Sequence, residues 1–436
     1  MSRPATLDAW LAYLETLHPK AIAMGLARVN AVYQQLAAPI ACPVVTVTGT
    51  NGKGSTCALL DSMLRAAGYR VGLYTSPHLV RYNERVRVLG LDACDDDLVR
   101  AFNAVEDARI ATVDASRSPT ELTYFEFGTL AALWIFSRAS LDALILEVGL
   151  GGRLDAVNII DADVGVLTSV AIDHVDYLGA TREQIGREKA GIFRSGKPAV
   201  IAEPHPPDSI EAVIRDVGAH AVRIGRDYGY VNESTQWRYW GPRGERFGLP
   251  FPALRGAYQL ANAATALVTL DSLHPRLTVS AGSMREGLLT VALPGRFEVL
   301  PGRPTVVLDV AHNPHSASVL AETLGSMGFH PVTIAVCGML ADKDIEGVVH
   351  VMRSRIDCWH LATLDVPRGA SAERLHAALH AAGVPETSIR VFPDVGAAYA
   401  SALGRAQEAD RIVVFGSFHT VSAATVARRS SPMTIA

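Results

Sequence analysis

Short runs of β-branched and aliphatic residues alternate along the chain with stretches whose apolar residues recur at helical spacing. Val44-Val45-Thr46-Val47-Thr48 is the first such run, and it stops at a glycine-rich turn. An apolar run of this length, bounded by a turn, predicts a buried strand. Residues 55–67 follow with helical spacing, and Gly68 stands where a helix C-terminal cap belongs. Arg70–Tyr74 reads as the next strand. This strand–turn–helix–strand order predicts parallel strands joined by crossover helices. Leu141–Val148 and Val164–Val170 read as core strands, Arg182–Ala190 as a helix and Pro198–Ala202 as a strand. Residues 226–250 break the pattern. Tyr228, Tyr230, Trp237, Tyr239, Trp240 and several glycines predict a small antiparallel ribbon, and Gln259–Leu273 returns to a helix.

Leu293-Pro-Gly-Arg-Phe and Leu300-Pro-Gly-Arg-Pro form a Pro/Gly-rich stretch. It predicts a domain boundary, dividing the chain into residues 1–297 and 298–436. Beyond it, Thr305–Val310, Val332–Gly338, Cys358–Thr363 and Arg411–Gly416 read as strands with helices between them. The expected fold class is α/β. A mostly parallel sheet bears a phosphate loop in the first domain, and the second is a smaller, Rossmann-like doubly wound domain. Asp95-Asp96-Asp97, the densest charge run, reads as the acidic start of a helix.

Composition sharpens this picture at three points. Hydrophobic residues make up 49% of the 436, enough for two large cores and against a disordered chain. A net charge of −4 argues against a polycation that coats nucleic acid. The five cysteines form no CxxC pair, so neither a disulfide framework nor a structural zinc site is expected. The first residues hold no basic stretch leading into an apolar core, and no apolar run reaches the ~18 residues of a membrane span. A cytoplasmic protein with no membrane partner is therefore expected. Only five of the 40 basic residues are lysines: Lys20, Lys53, Lys189, Lys197 and Lys343. A lysine kept against that bias is a candidate for amine chemistry rather than charge alone.

Gly49-Thr50-Asn51-Gly52-Lys53-Gly54-Ser55-Thr56 lies between the first strand and its helix. Glycines let such a turn curl around an anion, and the helix start offers N–H groups and partial positive charge. Lys53 adds a full charge that can reach the β- and γ-phosphates, and Ser55 or Thr56 can ligate Mg²⁺. Gly54 separates lysine from hydroxyl, a departure from the common nucleotide pattern. Glu147 ends one core strand and His174 follows another. Open α/β sheets bind ligands at the carboxyl ends of their strands, so both residues should share the edge that bears the phosphate loop. A carboxylate, an imidazole and a hydroxyl there could complete a Mg²⁺ site. Lys189 sits near the end of its helix, where arginine would serve the helix dipole equally well.

Further segments complete a recognisable set. Ser76-Pro-His-Leu79, Thr123-Tyr-Phe-Glu126, Glu147-Val-Gly-Leu-Gly-Gly-Arg-Leu-Asp155 and Arg187-Glu-Lys-Ala-Gly-Ile-Phe193 follow the phosphate loop in order. Pro294-Gly-Arg-Phe297, Asp309-Val-Ala-His-Asn-Pro314 and Asp342-Lys-Asp344 come after them. Across nearly its whole length the chain resembles folylpolyglutamate synthases, and more closely the bacterial bifunctional dihydrofolate synthase/folylpolyglutamate synthases of the Mur ligase superfamily. Gly54 is part of that family's loop.

The resemblance implies an ATP-dependent, ADP-forming ligase that joins L-glutamate to 7,8-dihydropteroate and to reduced folates through an acyl phosphate. It implies two Mg²⁺ ions, one at Ser55 and one held by Ser76, Glu147, His174 and Lys189. Lys189 corresponds to the family's carbamylated lysine, a modification by CO₂ that needs a primary amine. Substrate contacts carry over to Thr123, Tyr124, Phe125 and Glu126, and to Leu154, Asp155 and Ala156. Aromatic rings suit a flat pterin, and a carboxylate suits its amino-pyrimidine edge. Asn262, Arg296 and Asp309 correspond to ATP contacts outside the loop. Lys343 is a candidate for a carboxylate of the incoming glutamate, and His312 for nucleotide or glutamate. The family also implies a monomer. A monofunctional dihydrofolate synthase stays open beside this reading. The segments at 123–126 and 154–156 argue against a cell-wall Mur ligase, and no Asn-Lys-x-Asp element supports a guanine-nucleotide switch.

Overall fold

A computed structural model describes residues 3–18, 22–113, 118–256 and 258–430. The described residues form two compact units. One holds residues up to 78, 82–253 and 260–291, and the other holds 79–81, 254–259 and 292 onward. The second unit thus takes in Ala292, and Arg296 and Phe297 belong to it.

The first unit is built on an eight-stranded sheet. Its strands are β1 (Val44–Thr48), β2 (Val71–Tyr74), β3 (Val86–Val88), β4 (Leu91–Asp92), β5 (Ala143–Glu147), β6 (Val164–Leu167), β7 (Pro198–Ile201) and β8 (His220–Arg223). They lie in the order β4-β3-β2-β5-β1-β6-β7-β8. The strands from β2 to β8 in that order run parallel, and β3 and β4 turn back antiparallel at one edge. Every residue of β1, β5 and β6 is buried. Strands covered on both faces read as nearly continuous apolar runs, which is why the sequence marks these three plainly.

Helices 7–16, 27–36, 95–111 and 124–138 pack into one core, where Trp10, Phe102 and Phe127 meet ring against ring. Asp95, Asp96 and Asp97 occupy the first turn of helix 95–111, as expected from the helix dipole. Helix 53–66 leaves the phosphate loop and packs on β1, β2 and β5, and also against helix 281–290. The ribbon forms a separate sheet of β9 (Gly229–Asn232), β10 (Trp237–Gly241) and β11 (Gly244–Leu249). It anchors helix 259–273. The Tyr239 hydroxyl donates to Asp271 at 2.8 Å, and Arg246 pairs with the same carboxylate.

The second unit holds a six-stranded sheet. Its strands are β12 (Glu298–Leu300), β13 (Thr305–Leu308), β14 (Thr333–Cys337), β15 (Cys358–Ala362), β16 (Ile389–Phe392) and β17 (Arg411–Phe415), in the order β12-β13-β17-β14-β15-β16. Only β12 is antiparallel to its neighbour. Val413 belongs to one buried cluster and Val414 to another. Side chains alternate across a strand, so each face of the sheet carries a packed layer, the doubly wound arrangement.

The phosphate-loop helix depends on a close approach. A β-carbon on Gly287 would lie 2.6 Å from the Met63 Cα, and the Ser62 hydroxyl donates to the Gly287 carbonyl at 2.9 Å. In an isolated helix Gly→Ala gains about 1 kcal/mol. Here the clash is with backbone, so Gly287→Ala is expected to lower stability by about 1–3 kcal/mol. A thermal melt that stays level or rises would show that the two helices can move apart.

Candidate active site

The phosphate loop is pinned by the strand beside it. The Thr50 amide donates to the Ser169 carbonyl at 2.9 Å, and the Asn51 amide to the Ser169 hydroxyl at 3.0 Å. Thr168 Oγ1 donates to the Asn51 carbonyl at 2.6 Å, and Thr50 Oγ1 to the Ala171 carbonyl at 3.2 Å. Gly49 and Gly52 have φ of 152° and 85°, where L side chains are disfavoured. A β-carbon on Gly49 would sit 1.9 Å from Thr168 Oγ1, and one on Gly52 2.8 Å from Asn262 Oδ1. Asn262 is therefore already packed against the loop.

These bonds refine the sequence reading. The amides of Thr50 and Asn51 serve the loop's own scaffold. The first turn of helix 53–66 leaves the N–H groups of Lys53, Gly54 and Ser55 without partners in the helix ladder, the arrangement that suits an anion. Lys53 Nζ donates to the carbonyls of Gly49 and Thr50 at 3.0 and 3.4 Å, which holds its charge over the loop. Ser55 is buried, and the fully buried Thr56 Oγ1 has no hydrogen-bond partner among the described residues.

Glu147 closes β5, the neighbour of β1, and its Oε2 accepts the Ser76 amide at 3.0 Å. Ser76 follows the end of β2, so these two expected ligands are brought together. His174 has φ of 52°, a strained value for a residue with a side chain. Its amide donates to Asp173 Oδ1 at 2.9 Å, and its Nε2 lies 3.9 Å from Asp173 Oδ2. Lys189, in helix 182–190, is buried. Burial, seconded by the charge of Lys53, pushes its ammonium down to about 7, while Asp173 and Asp155 oppose the shift. Among the described residues no three His, Cys, Asp or Glu side chains gather into a metal cage.

The expected pterin segments have strong local duties. Thr123 caps helix 124–138 in a capping box with Glu126. The Glu126 carboxylate also accepts from Arg28 Nε at 3.0 Å and pairs with its terminal nitrogen. The Asp155 carboxylate accepts the amides of Leu150 and Val157 at 2.8 and 3.1 Å, and burial pushes it up to about 7. Both carboxylates thus also hold their own segments in place. Phe125 packs against Gly149, where a β-carbon would lie 2.6 Å from its ring. Tyr124 is half-buried, Leu154 is half-buried and Ala156 buried.

In the second unit, Asp309 follows β13 and accepts the amides of Phe297 and Ala311 at 2.8 and 2.7 Å. Burial raises its carboxyl, and the charge of Arg296 works against that. The Arg296 guanidinium lies 5.1 Å from the Phe418 ring centre, and His312 Nδ1 faces the Val310 carbonyl at 2.9 Å. Lys343 precedes the Asp344 cap of helix 345–352, on a different strand exit.

Sequence reasoning missed Thr168, Ser169 and Arg28, which act by shape and pairing and carry no motif. Asp173 stands beside His174 in the Ile172-Asp-His segment, so its signal was present.

Residues 47–270 match the Mur ligase middle domain, and residues 295–418 the Mur ligase glutamate ligase domain. The dihydrofolate synthase/folylpolyglutamate synthase of Escherichia coli is 46% identical over 95% of this chain and 94% of its own. The chain belongs to the dihydrofolate synthase/folylpolyglutamate synthase family of Mur ligases. The E. coli FolC structure in complex with DHPP and ADP aligns with a TM-score of 0.90 at 46% identity, covering 98% of this chain and 99% of that one. A bifunctional folylpolyglutamate synthase/dihydrofolate synthase with Mn, AMPPNP and L-glutamate bound aligns at 0.88 and 45%, covering 98% of each chain.

In this Mur ligase the loop glycines offer a test. Gly52→Ala is expected to weaken ADP binding, measured by titration calorimetry, by about tenfold or more. Gly68, with φ of 86° and nothing within 4 Å of a β-carbon, is the control. Gly68→Ala should cost about 1 kcal/mol of stability and leave ADP affinity unchanged. Equal affinities for the two variants would remove the loop from nucleotide binding.

Proposed function

We infer that the chain is an ADP-forming ligase that joins L-glutamate to 7,8-dihydropteroate, giving dihydrofolate, and to reduced folates, giving polyglutamates. The observation that carries this reading is the gathering of a phosphate loop, Glu147, Ser76 and His174 on one sheet edge, with the buried Lys189 amine close enough to feel Lys53. Solved relatives holding ADP, DHPP, AMPPNP, Mn and L-glutamate support it.

A carboxylate oxygen of the pterin substrate attacks the γ-phosphorus of ATP. The bond to the bridging oxygen breaks, and ADP leaves behind an acyl phosphate. The α-amine of glutamate then attacks the acyl carbon, phosphate departs with the former carboxylate oxygen, and the amine gives up a proton. The first step brings two anions together, which in partly dry surroundings costs on the order of several kcal/mol unless cations offset it.

Lys53 and the first turn of helix 53–66 supply that charge, and Asn262, Arg296, Asp309 and His312 are the further nucleotide contacts. Thr123–Glu126 and Leu154–Ala156 line the pterin side, and Lys343 takes a glutamate carboxylate. The donor set fits Mg²⁺: Ser55 would hold one ion, and Ser76, Glu147, His174 and Lys189 the other. Among the described residues no three acids, histidines or cysteines form a cage, so phosphate and water oxygens would complete each ion's shell. Bound Mg²⁺ neutralises phosphate charge and polarises the phosphoryl oxygens. Burial keeps much of the Lys189 amine uncharged near neutral pH, the form that attacks CO₂ to give an anionic carbamate and a proton.

No helix among the described residues is long and apolar enough to cross a membrane. All five cysteines are free, and a cytoplasmic location is part of the reading. A monomer needing no nucleic-acid or membrane partner completes the reading.

Purified protein, ATP, Mg²⁺ and L-glutamate should release ADP with dihydropteroate and with tetrahydrofolate. Release with neither would sink the reading, and release with dihydropteroate alone would mark a monofunctional synthase. Lys189→Arg cannot be carbamylated and puts a fixed cation where the carbamate would stand, and should lower kcat by about 100-fold. Near-normal turnover would remove the carbamate.

A further inference from the structure

Arg85 is placed unlike many of this chain's arginines. Several others are committed to carboxylates: Arg28 to Glu126, Arg109 to Glu106, Arg153 to Glu188, Arg223 to Glu211 and Arg246 to Asp271. Arg85 pairs with no carboxylate among the described residues. It is nonetheless held in place. Its backbone carbonyl accepts the Thr75 amide at 3.0 Å, beside Ser76. Its Nε donates to His78 Nδ1 at 2.8 Å. Its guanidinium carbon lies 5.3 Å from the Tyr82 ring centre and 5.6 Å from that of Tyr124.

Each contact has a consequence. Stacking on two tyrosines fixes the guanidinium plane without neutralising it. The Nε bond to His78 uses one donor and leaves the fork of two terminal nitrogens, which can grip a carboxylate end-on. A guanidinium keeps its charge at any working pH, so Arg85 cannot act as acid or base. It can only hold an anion. Its position suits the acceptor substrate. Tyr124 opens the segment read as pterin-binding, and Thr75–His78 carries Ser76, whose amide is bound to Glu147. Aromatic rings beside a fixed cation match a flat aryl group ending in a carboxylate.

We propose that Arg85 binds the carboxylate of the acceptor substrate, with Tyr82 and Tyr124 holding the guanidinium plane. This rests on the ligase reading above and adds the group that recognises the acid to be activated. It also gives His78 a task. With Nδ1 accepting from Arg85, the neutral ring carries its proton on Nε2, and the pair keeps the guanidinium turned one way.

The test uses the full-length protein and the variants Arg85→Gln and Arg85→Lys, with thermal melts as a check on folding. Dihydropteroate and a dihydropterin lacking the carboxylate are titrated calorimetrically, and KM values are taken for dihydropteroate, tetrahydrofolate and ATP. Wild type should prefer dihydropteroate over the carboxylate-free pterin. Arg85→Gln should raise the dihydropteroate KM by about twentyfold and abolish that preference, with the ATP KM unchanged. Arg85→Lys should fall between, because it keeps the charge and loses the fork. A matching rise for tetrahydrofolate would extend the contact to the glutamyl chain, and a rise for dihydropteroate alone would confine it to the aryl carboxylate.

Arg85→Gln with an unchanged KM, or equal weakening for both pterins, overturns the proposal. Should Arg85→Gln not fold, Arg85→Lys with unaltered preference and KM overturns it instead. A wild type that neither binds nor consumes dihydropteroate would instead refute the ligase reading, and this proposal would fall with it.

Discussion

No side-chain carbon fits between Gly49 and Thr168. That single approach ties the phosphate loop to the exit of β6, and much of the site depends on it. The same exit continues through Ser169 and Ala171, which bond to Asn51 and Thr50, and reaches Asp173 and His174 within a few residues. One stretch of backbone therefore sets the position of the phosphate loop and of an expected metal ligand. The adjoining strand ends supply the rest, Glu147 from β5 and Ser76 beyond β2. Loops on such an edge are irregular, yet here side-chain and backbone bonds fix nearly every turn.

The second organising element is charge in a partly dry space. Lys53, Lys189 and Arg85 surround the edge with potential positive charge, and Glu147, Asp155 and Asp173 interleave with them. Desolvation decides the state of the buried members. It moves Lys189 and Asp155 toward neutrality from opposite directions, each to about 7. A lysine with that environment differs in kind from one on a helix surface. The scarcity of lysine in the sequence now divides accordingly. Lys53 lies on the loop, Lys189 is buried beside it, and Lys343 precedes a helix in the second unit. Lys197 pairs with Asp163 at 2.9 Å in an exposed ion pair, and Lys20 lies outside the described residues.

What the sequence made legible followed burial. β1, β5 and β6 are covered on both faces and announce themselves as apolar runs. The ribbon was legible from its aromatic residues and glycines, and two of those aromatics, Tyr228 and Tyr239, hydrogen-bond to helix 259–273. The edge strands β4, β8, β12 and β16, and β3 beside β4, went unread. They are short and partly exposed, and His220-Ala-Val-Arg or Leu91-Asp resembles any loop. Legible in the sequence were the loop glycines that take a positive φ, the Lys189 that stands out against arginine, and the acid that ends β5. Glu126 and Asp155 carry local bonds that the sequence did not show: Glu126 closes a capping box, and Asp155 accepts two backbone amides. Arg28 and Arg85, whose meaning lies wholly in their neighbours, carried no sequence signal.

The central claim is that a pterin carboxylate becomes an acyl phosphate before glutamate attacks. Dihydropteroate labelled with ¹⁸O in its carboxylate, turned over with ATP and L-glutamate, tests it directly. The account predicts that the released inorganic phosphate carries one labelled oxygen for each dihydrofolate formed. Turnover that yields unlabelled phosphate would contradict it, because the carboxylate oxygen would then never have been joined to phosphorus.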